Sequence, residues 1–268
     1  MSNVTFAFTL SLLAGLSTGI GSAVAFFAKK NNTAFLSVSL GLSAGVMIYV
    51  SMMELMPNAI SSLSESLTEK NASIIAMIAF FGGMLLIYLI QRFIPEDGVS
   101  RKKPKKSGDV SEKPDSGKSK LLRAGMVTAL AIGIHNFPEG LATFMSALKD
   151  PSVALPIFVA IAIHNIPEGI SVSMPIYYAT GNKKRAFLVS FLSGITEPVG
   201  ALLGYLLLMP IMKDAYYGII FAVISGVMVF ISFDEILPAA EEYGSHRLSL
   251  AGTIIGMAVM AISLVLFM

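Results

Sequence analysis

A histidine, an asparagine and a glutamate recur in one order and spacing at two places in this 268-residue chain, Ala131-Ile-Gly-Ile-His-Asn-Phe-Pro-Glu-Gly140 and Ala160-Ile-Ala-Ile-His-Asn-Ile-Pro-Glu-Gly169. Imidazole nitrogen, amide oxygen and carboxylate are ligands for divalent cations, and a helix arranges them usefully. With ~100° of turn per residue, setting His135 at zero puts Asn136 at about 100° and Glu139 at about 40°. Glu139 therefore lies between the other two, placed to share one metal with His135 at i, i+4 and a second with Asn136 at i, i+3. His164, Asn165 and Glu168 repeat the arrangement. If the two helices are antiparallel neighbours, the clusters, each about 12 to 14 residues into its span, reach one depth and face each other across a binuclear site.

A further carboxylate, Glu197 in Ser193-Gly-Ile-Thr-Glu-Pro-Val-Gly200, lies at a similar depth in the following apolar segment and is assigned to the asparagine side of the site. The bland alternative is a polar network that only ties helices together. Duplication of all three ligand types weighs against it. The donor set contains no thiolate, because the chain has no cysteine, which also removes disulfides and cysteine nucleophiles. Nitrogen and hard oxygen donors suit Zn²⁺, Fe²⁺, Mn²⁺, Co²⁺ or Ni²⁺ better than Cu⁺. The 16 methionines are scattered and read as apolar filler.

The elements that must position these residues are membrane helices. The chain is 54% hydrophobic and only 13% charged, with a mean hydropathy of +0.74, far from the soluble average. A carboxylate at the centre of a bilayer costs about 2.5 to 3.5 kcal/mol on insertion scales, so the ligand clusters need a cation to offset them. Segments long enough to cross ~30 Å of hydrocarbon are read at 5–28, 34–57, 72–94, 121–148, 152–179, 186–209, 215–240 and 248–268. The expected fold is therefore all-α, a polytopic bundle of eight transmembrane helices forming a single domain over 1–268. The first segment has no basic stretch before it and is kept as a span. Sixteen of the 19 basic residues follow helices 1, 3, 5 and 7, while Lys70, Lys149 and Lys213 fall on the other side. The positive-inside rule then places both termini outside. The 95–120 segment, rich in Lys, Ser, Pro and Gly, reads as a basic, disordered cytoplasmic loop.

A second repeat links helices 2 and 7. Gly45-Val-Met-Ile-Tyr-Val-Ser-Met-Met-Glu-Leu-Met-Pro-Asn-Ala59 and Gly226-Val-Met-Val-Phe-Ile-Ser-Phe-Asp-Glu-Ile-Leu-Pro-Ala-Ala240 share the skeleton GVMxxxSxxExxPxA. Helices 2 and 7, like helices 4 and 5, run in opposite directions in this topology, so both repeats are inverted, a construction common in transporters with a midplane site. Glu54 and Glu235 are expected near the outer and inner mouths of a path.

HNFPEG, HNIPEG, TEPVGA, MELMP and DEILPAAEE together resemble the ZIP (Zrt/Irt-like) family of divalent metal transporters, and within it the bacterial ZupT branch. The resemblance implies an eight-helix bundle with both termini outside, a multi-pass place in the bacterial cytoplasmic membrane and uptake of zinc, with Fe²⁺, Mn²⁺ and Co²⁺ as further candidates. It implies a binuclear site of His135, Asn136, Glu139, His164, Asn165, Glu168 and Glu197. The metal is cargo rather than cofactor, and no other cofactor is expected. Expected partners are divalent cations and the bilayer, with no nucleic acid and with a homodimer left open. The cytoplasmic loop lacks the histidines of many animal members, and His246, near Glu241 and Glu242, reads as a solvated loop residue rather than an exit ligand. The competing class, an intramembrane metal hydrolase, lacks the HExxH signature and fits amide ligands poorly. The chain is expected not to be an enzyme.

Overall fold

A computed structural model describes residues 3–29, 32–93, 116–149, 151–208, 214–242 and 244–267, and these form eight helical rods. They are α1 (Asn3–Phe27), α2 (Thr33–Ser64), α3 (Glu69–Phe93), α4 (Ser116–Lys149), α5 (Pro151–Thr180), α6 (Lys183–Leu203, continuing through Gly204–Leu208), α7 (Asp214–Ile231, Ser232–Ile236 and Leu237–Glu242) and α8 (His246–Phe267). Among the described residues, six of them, α1, α2, α3, α6, α7 and α8, are both long and apolar enough to cross a membrane. The other two have the length, 34 and 30 residues, and carry the His, Asn and Glu side chains of the repeat. The loop expected at 95–120 falls mostly outside the described residues, and its last five are helical because α4 begins at Ser116.

Apolar side chains lie on both the outside and the inside of the bundle. Leu85, Leu89, Ile254, Ile262 and Leu266 stand exposed on α3 and α8, while serines, asparagines, histidines and glutamates are buried beside an apolar core. Small residues let the rods approach closely, as packing between membrane helices requires. A Cβ at Gly21 would overlap the Ile166 carbonyl and one at Gly169 the Thr18 carbonyl, which fixes α1 on α5; Gly140 and Gly200 do the same against Glu197 and Phe137, which fixes α4 on α6. These four rods form a central bundle. Glycines at 41, 45, 252 and 256 seat α2 on α8, and Gly83 and Gly226 seat α3 on α7.

The GVMxxxSxxExxPxA repeat is also structural. In both copies the helix widens into a π-turn, Ser51–Leu55 and Ser232–Ile236. The Met56 and Leu237 amides donate to the Ser51 and Ser232 carbonyls across that turn. Pro57 and Pro238 follow immediately, and a proline has no N–H for the carbonyl one turn back, so the ladder loosens there. The serine hydroxyls donate to Met47 (2.7 Å) and Met228 (2.8 Å), bracing the same turn from inside.

Hydrogen bonds define which helix ends lie together. Tyr178 donates to the Lys29 and Asn32 carbonyls, and Ser37 to the Ala240 carbonyl. The ends bearing Lys29, Arg123, Lys183 and Glu242 thus form one face, called here the basic end.

Candidate metal centre

His135 on α4 and His164 on α5 face one another with ring centroids 6.5 Å apart. Glu139, one turn along α4 from His135, lies between them. Its Oε2 is 3.2 Å from His135 Nε2 and its Oε1 2.6 Å from His164 Nε2. Glu168 Oε1, from α5, is 3.5 Å from His135 Nε2. Ligand atoms of His135, His164 and Glu168 all lie within 4.8 Å of one another. Donors on one tetrahedral zinc stand ~3.4 Å apart, given bonds of ~2.0 to 2.2 Å, so small side-chain movements bring this group onto a single cation.

Asn136, Asn165 and Glu197 adjoin this group on the side of α6. The Asn165 amide donates to Glu197 Oε2 at 2.8 Å and to the Ala14 carbonyl of α1 at 2.9 Å, which turns its own oxygen away from both. Asn136 pairs best with its amide nitrogen toward the Ile132 carbonyl (3.1 Å) and Glu168 Oε2 (3.2 Å). Glu168 thus touches both groups, through Oε1 at His135 and Oε2 at Asn136, while Glu139 joins the two histidines. All seven side chains are buried, six of them at 2% exposure or less, and Glu139 is the most open at 9%.

The set is polar and incomplete. His135 Nε2, Glu139 Oε2, Glu168 Oε1, Asn165 Oδ1 and Glu197 Oε1 are buried with no hydrogen-bond partner. Each such atom costs about 1 to 3 kcal/mol. Imidazole nitrogen, amide oxygen and carboxylate oxygen left unpartnered form a donor set that fits a divalent cation in both charge and ligand type.

A cavity of about 350 Å³ leads to the histidines from the end opposite the basic one. Asn58 and Ser61, both exposed, stand at its rim, Glu54 and Thr143 line its wall, and His135, Glu139 and His164 form its floor. Toward the basic end the cluster is backed by Ile132, Val172, Met228 and Ile231, buried in one apolar core.

The structure brings together all seven residues singled out in the sequence. Glu54 is more central than a residue at a mouth, since it shares a cavity with three of them. Glu235 sits at the basic end, where Gln91 donates to it at 3.3 Å and Arg123 lies 3.9 Å away. His246 is exposed and pairs with Glu241 at 2.8 Å, remote from the cluster. Sequence reasoning missed the Ala14 carbonyl that orients Asn165, for which the residue type carries no signal. It also missed Arg123, which was counted only as a topology charge.

Comparison with known proteins identifies the family. The sequence model of the ZIP zinc transporter family matches residues 95–264. A zinc transporter ZupT of Streptococcus mutans is 59% identical over 261 residues, covering 97% of each chain. Others from Clostridium perfringens and Lysinibacillus sphaericus are each 56% identical, the first covering 100% of this chain and 98% of its own, the second 98% of both. With the family model matching more than half of the chain and relatives 56 to 59% identical over nearly its whole length, the chain belongs to the ZIP zinc transporter family.

Proposed function

We propose that this protein carries Zn²⁺ into the bacterial cytoplasm through two adjoining subsites half-way along its central bundle. The observation that carries the reading is the convergence of seven buried ligand-type side chains, six with unpartnered atoms, with His135, Glu139 and His164 at the floor of a cavity. His135, His164, Glu139 and Glu168 make the first subsite. Asn136, Asn165 and Glu197 make the second, with Glu139 and Glu168 shared. Fe²⁺, Mn²⁺ and Co²⁺ meet the same donors and are further cargo.

All eight rods span the membrane in this reading, over a single domain of 1–268. The basic end faces the cytoplasm by the positive-inside rule, which leaves both termini and the cavity outside. A hydrated cation enters past Asn58 and Ser61, is drawn inward by Glu54 and exchanges water for imidazole and carboxylate. The shared carboxylates allow it to pass to the oxygen-rich subsite without ever losing every ligand. Release inward then requires the apolar layer at Ile132, Val172, Met228 and Ile231 to part, an alternating-access step suited to inverted repeats. No bond of a substrate is made or broken.

Purified protein in zinc-dye-loaded vesicles should admit Zn²⁺ with no other protein present, and a flux equal to that of empty vesicles would overturn the proposal. Affinity should also depend on pH. Metal binding needs unprotonated imidazole and carboxylate, so zinc competes with protons and its affinity should fall as pH drops from about 7 to about 5, through the ordinary histidine range. Titration by calorimetry at several pH values checks this, and flat affinity over that window would contradict the ligand set.

A further inference from the structure

The two glutamates of the GVMxxxSxxExxPxA repeat occupy corresponding positions on π-turns, yet their surroundings differ. Glu54 lines the open cavity and its Oε2 has no partner. Glu235 is buried and held, with Gln91 of α3 donating to it and Arg123 of α4 beside it. One turn before Arg123, Lys120 lies 3.5 Å from Glu242. Among the described residues, both ion pairs that join α4 to α7 therefore sit at the basic end. At the other end the same two rods are parted by the cavity, with Thr143 of α4 and Phe221 and Ile224 of α7 in its walls.

We propose that Arg123 is a tethered cation that latches the inner path shut while the outer cavity is open, occupying Glu235 in place of the outgoing metal. The inference rests on the transport reading and adds a positioning residue to it. Three features suit a latch better than a strut. The pair is long at 3.9 Å, and the arginine side chain is 30% exposed, so the bond is readily broken. Arg123 Nε has no hydrogen-bond partner, so that nitrogen adds nothing to hold the guanidinium in place. Gln91 stays on Glu235 when the arginine leaves, so the carboxylate keeps its place. Arg123 and His135 share α4, so a movement of α4 away from α7 that opens the exit also shifts the metal site. Glu235, still held by Gln91, then faces the opened exit without its cation.

The chain has no cysteine, so single cysteines report access cleanly. Ala239→Cys lies in the wall of the inner pocket with Arg123 and Glu235, and Asn58→Cys at the outer rim. In the full-length protein in detergent, without metal, Arg123→Gln should raise the thiol-labelling rate at Ala239→Cys by about fivefold and lower it at Asn58→Cys. Arg123→Lys should stay close to the parent rate. The exchanged pair Arg123→Glu with Glu235→Arg should return both rates toward it. Should Arg123→Gln fail to fold, Glu235→Gln carries the same expectation. Unchanged labelling in a folded Arg123→Gln or Glu235→Gln protein overturns the latch. Because no zinc is used, a labelling shift without zinc flux would retain the latch and reject the cargo, whereas zinc flux without the shift would reject the latch alone.

Discussion

Replacing Glu139 with glutamine is expected to empty both subsites and to reduce zinc flux by about two orders of magnitude or more, since even residues that merely orient metal ligands cost 10- to 100-fold. The carboxylate lies within 3.2 Å of one histidine and 2.6 Å of the other, so its charge serves whichever cation occupies the site. Glutamine preserves the volume and the burial, so the loss is chemical rather than a collapse of packing. Asn136→Ala is the control. Its amide borders Glu168 rather than the two imidazoles, so one zinc per chain should remain. Zinc content by equilibrium dialysis separates the cases, and an identical loss of one metal in both variants would contradict a shared carboxylate.

The second large effect comes from a residue that binds nothing. At Gly140 a Cβ would overlap the backbone carbonyl of Glu197, and backbone cannot swing aside as a flexible side chain can. Gly140→Val must therefore separate α4 from α6, moving Glu197 away from Asn165 and stretching the second subsite. Overpacking of this kind costs about 1 to 3 kcal/mol, enough to lower Tm by roughly 5 °C in a protein of this size. A wild-type chain should gain Tm on addition of saturating Zn²⁺, because a ligand that binds only the folded state stabilises it by mass action. Gly140→Val should lose most of that gain as well. A melting curve with and without zinc tests both, and a variant with the parent's Tm and zinc response would show that the close crossing is dispensable.

How much of this was legible in the chain depends on whether the signal was local. The ligand types were, because the HN-x-PEG block appears twice and Glu197 stands in an otherwise apolar segment with no other reason to be there. Apolar length gave the rods, except that α4 starts at Ser116 inside a stretch whose composition reads as loop, where tertiary contacts such as Lys120 to Glu242 extend the helix. Angles on one helix correctly put Glu139 beside His135, but its closest approach is to His164 on α5, which no spacing within α4 could reveal. Glu54 reads as a residue near a helix end. The π-turn at Ser51–Leu55 belongs to its own local sequence, yet its consequence, a carboxylate in the wall of the histidine cavity, depends on how α2 packs against α5 and α7. Arg123 illustrates the same limit from the other side, since a basic residue near a helix start is normal for topology and only the fold brings it to Glu235.

The most direct test of the central claim is X-ray absorption at the zinc edge on the purified, zinc-loaded protein, together with its zinc content. The account predicts two zinc ions per chain, a first shell of nitrogen and oxygen only at ~2.0 to 2.2 Å, and a metal–metal vector of about 3.5 to 4 Å, with imidazole scattering lost in a His135→Ala, His164→Ala double variant. Zinc that is absent, or that remains bound with unchanged imidazole scattering after both histidines are removed, would contradict it.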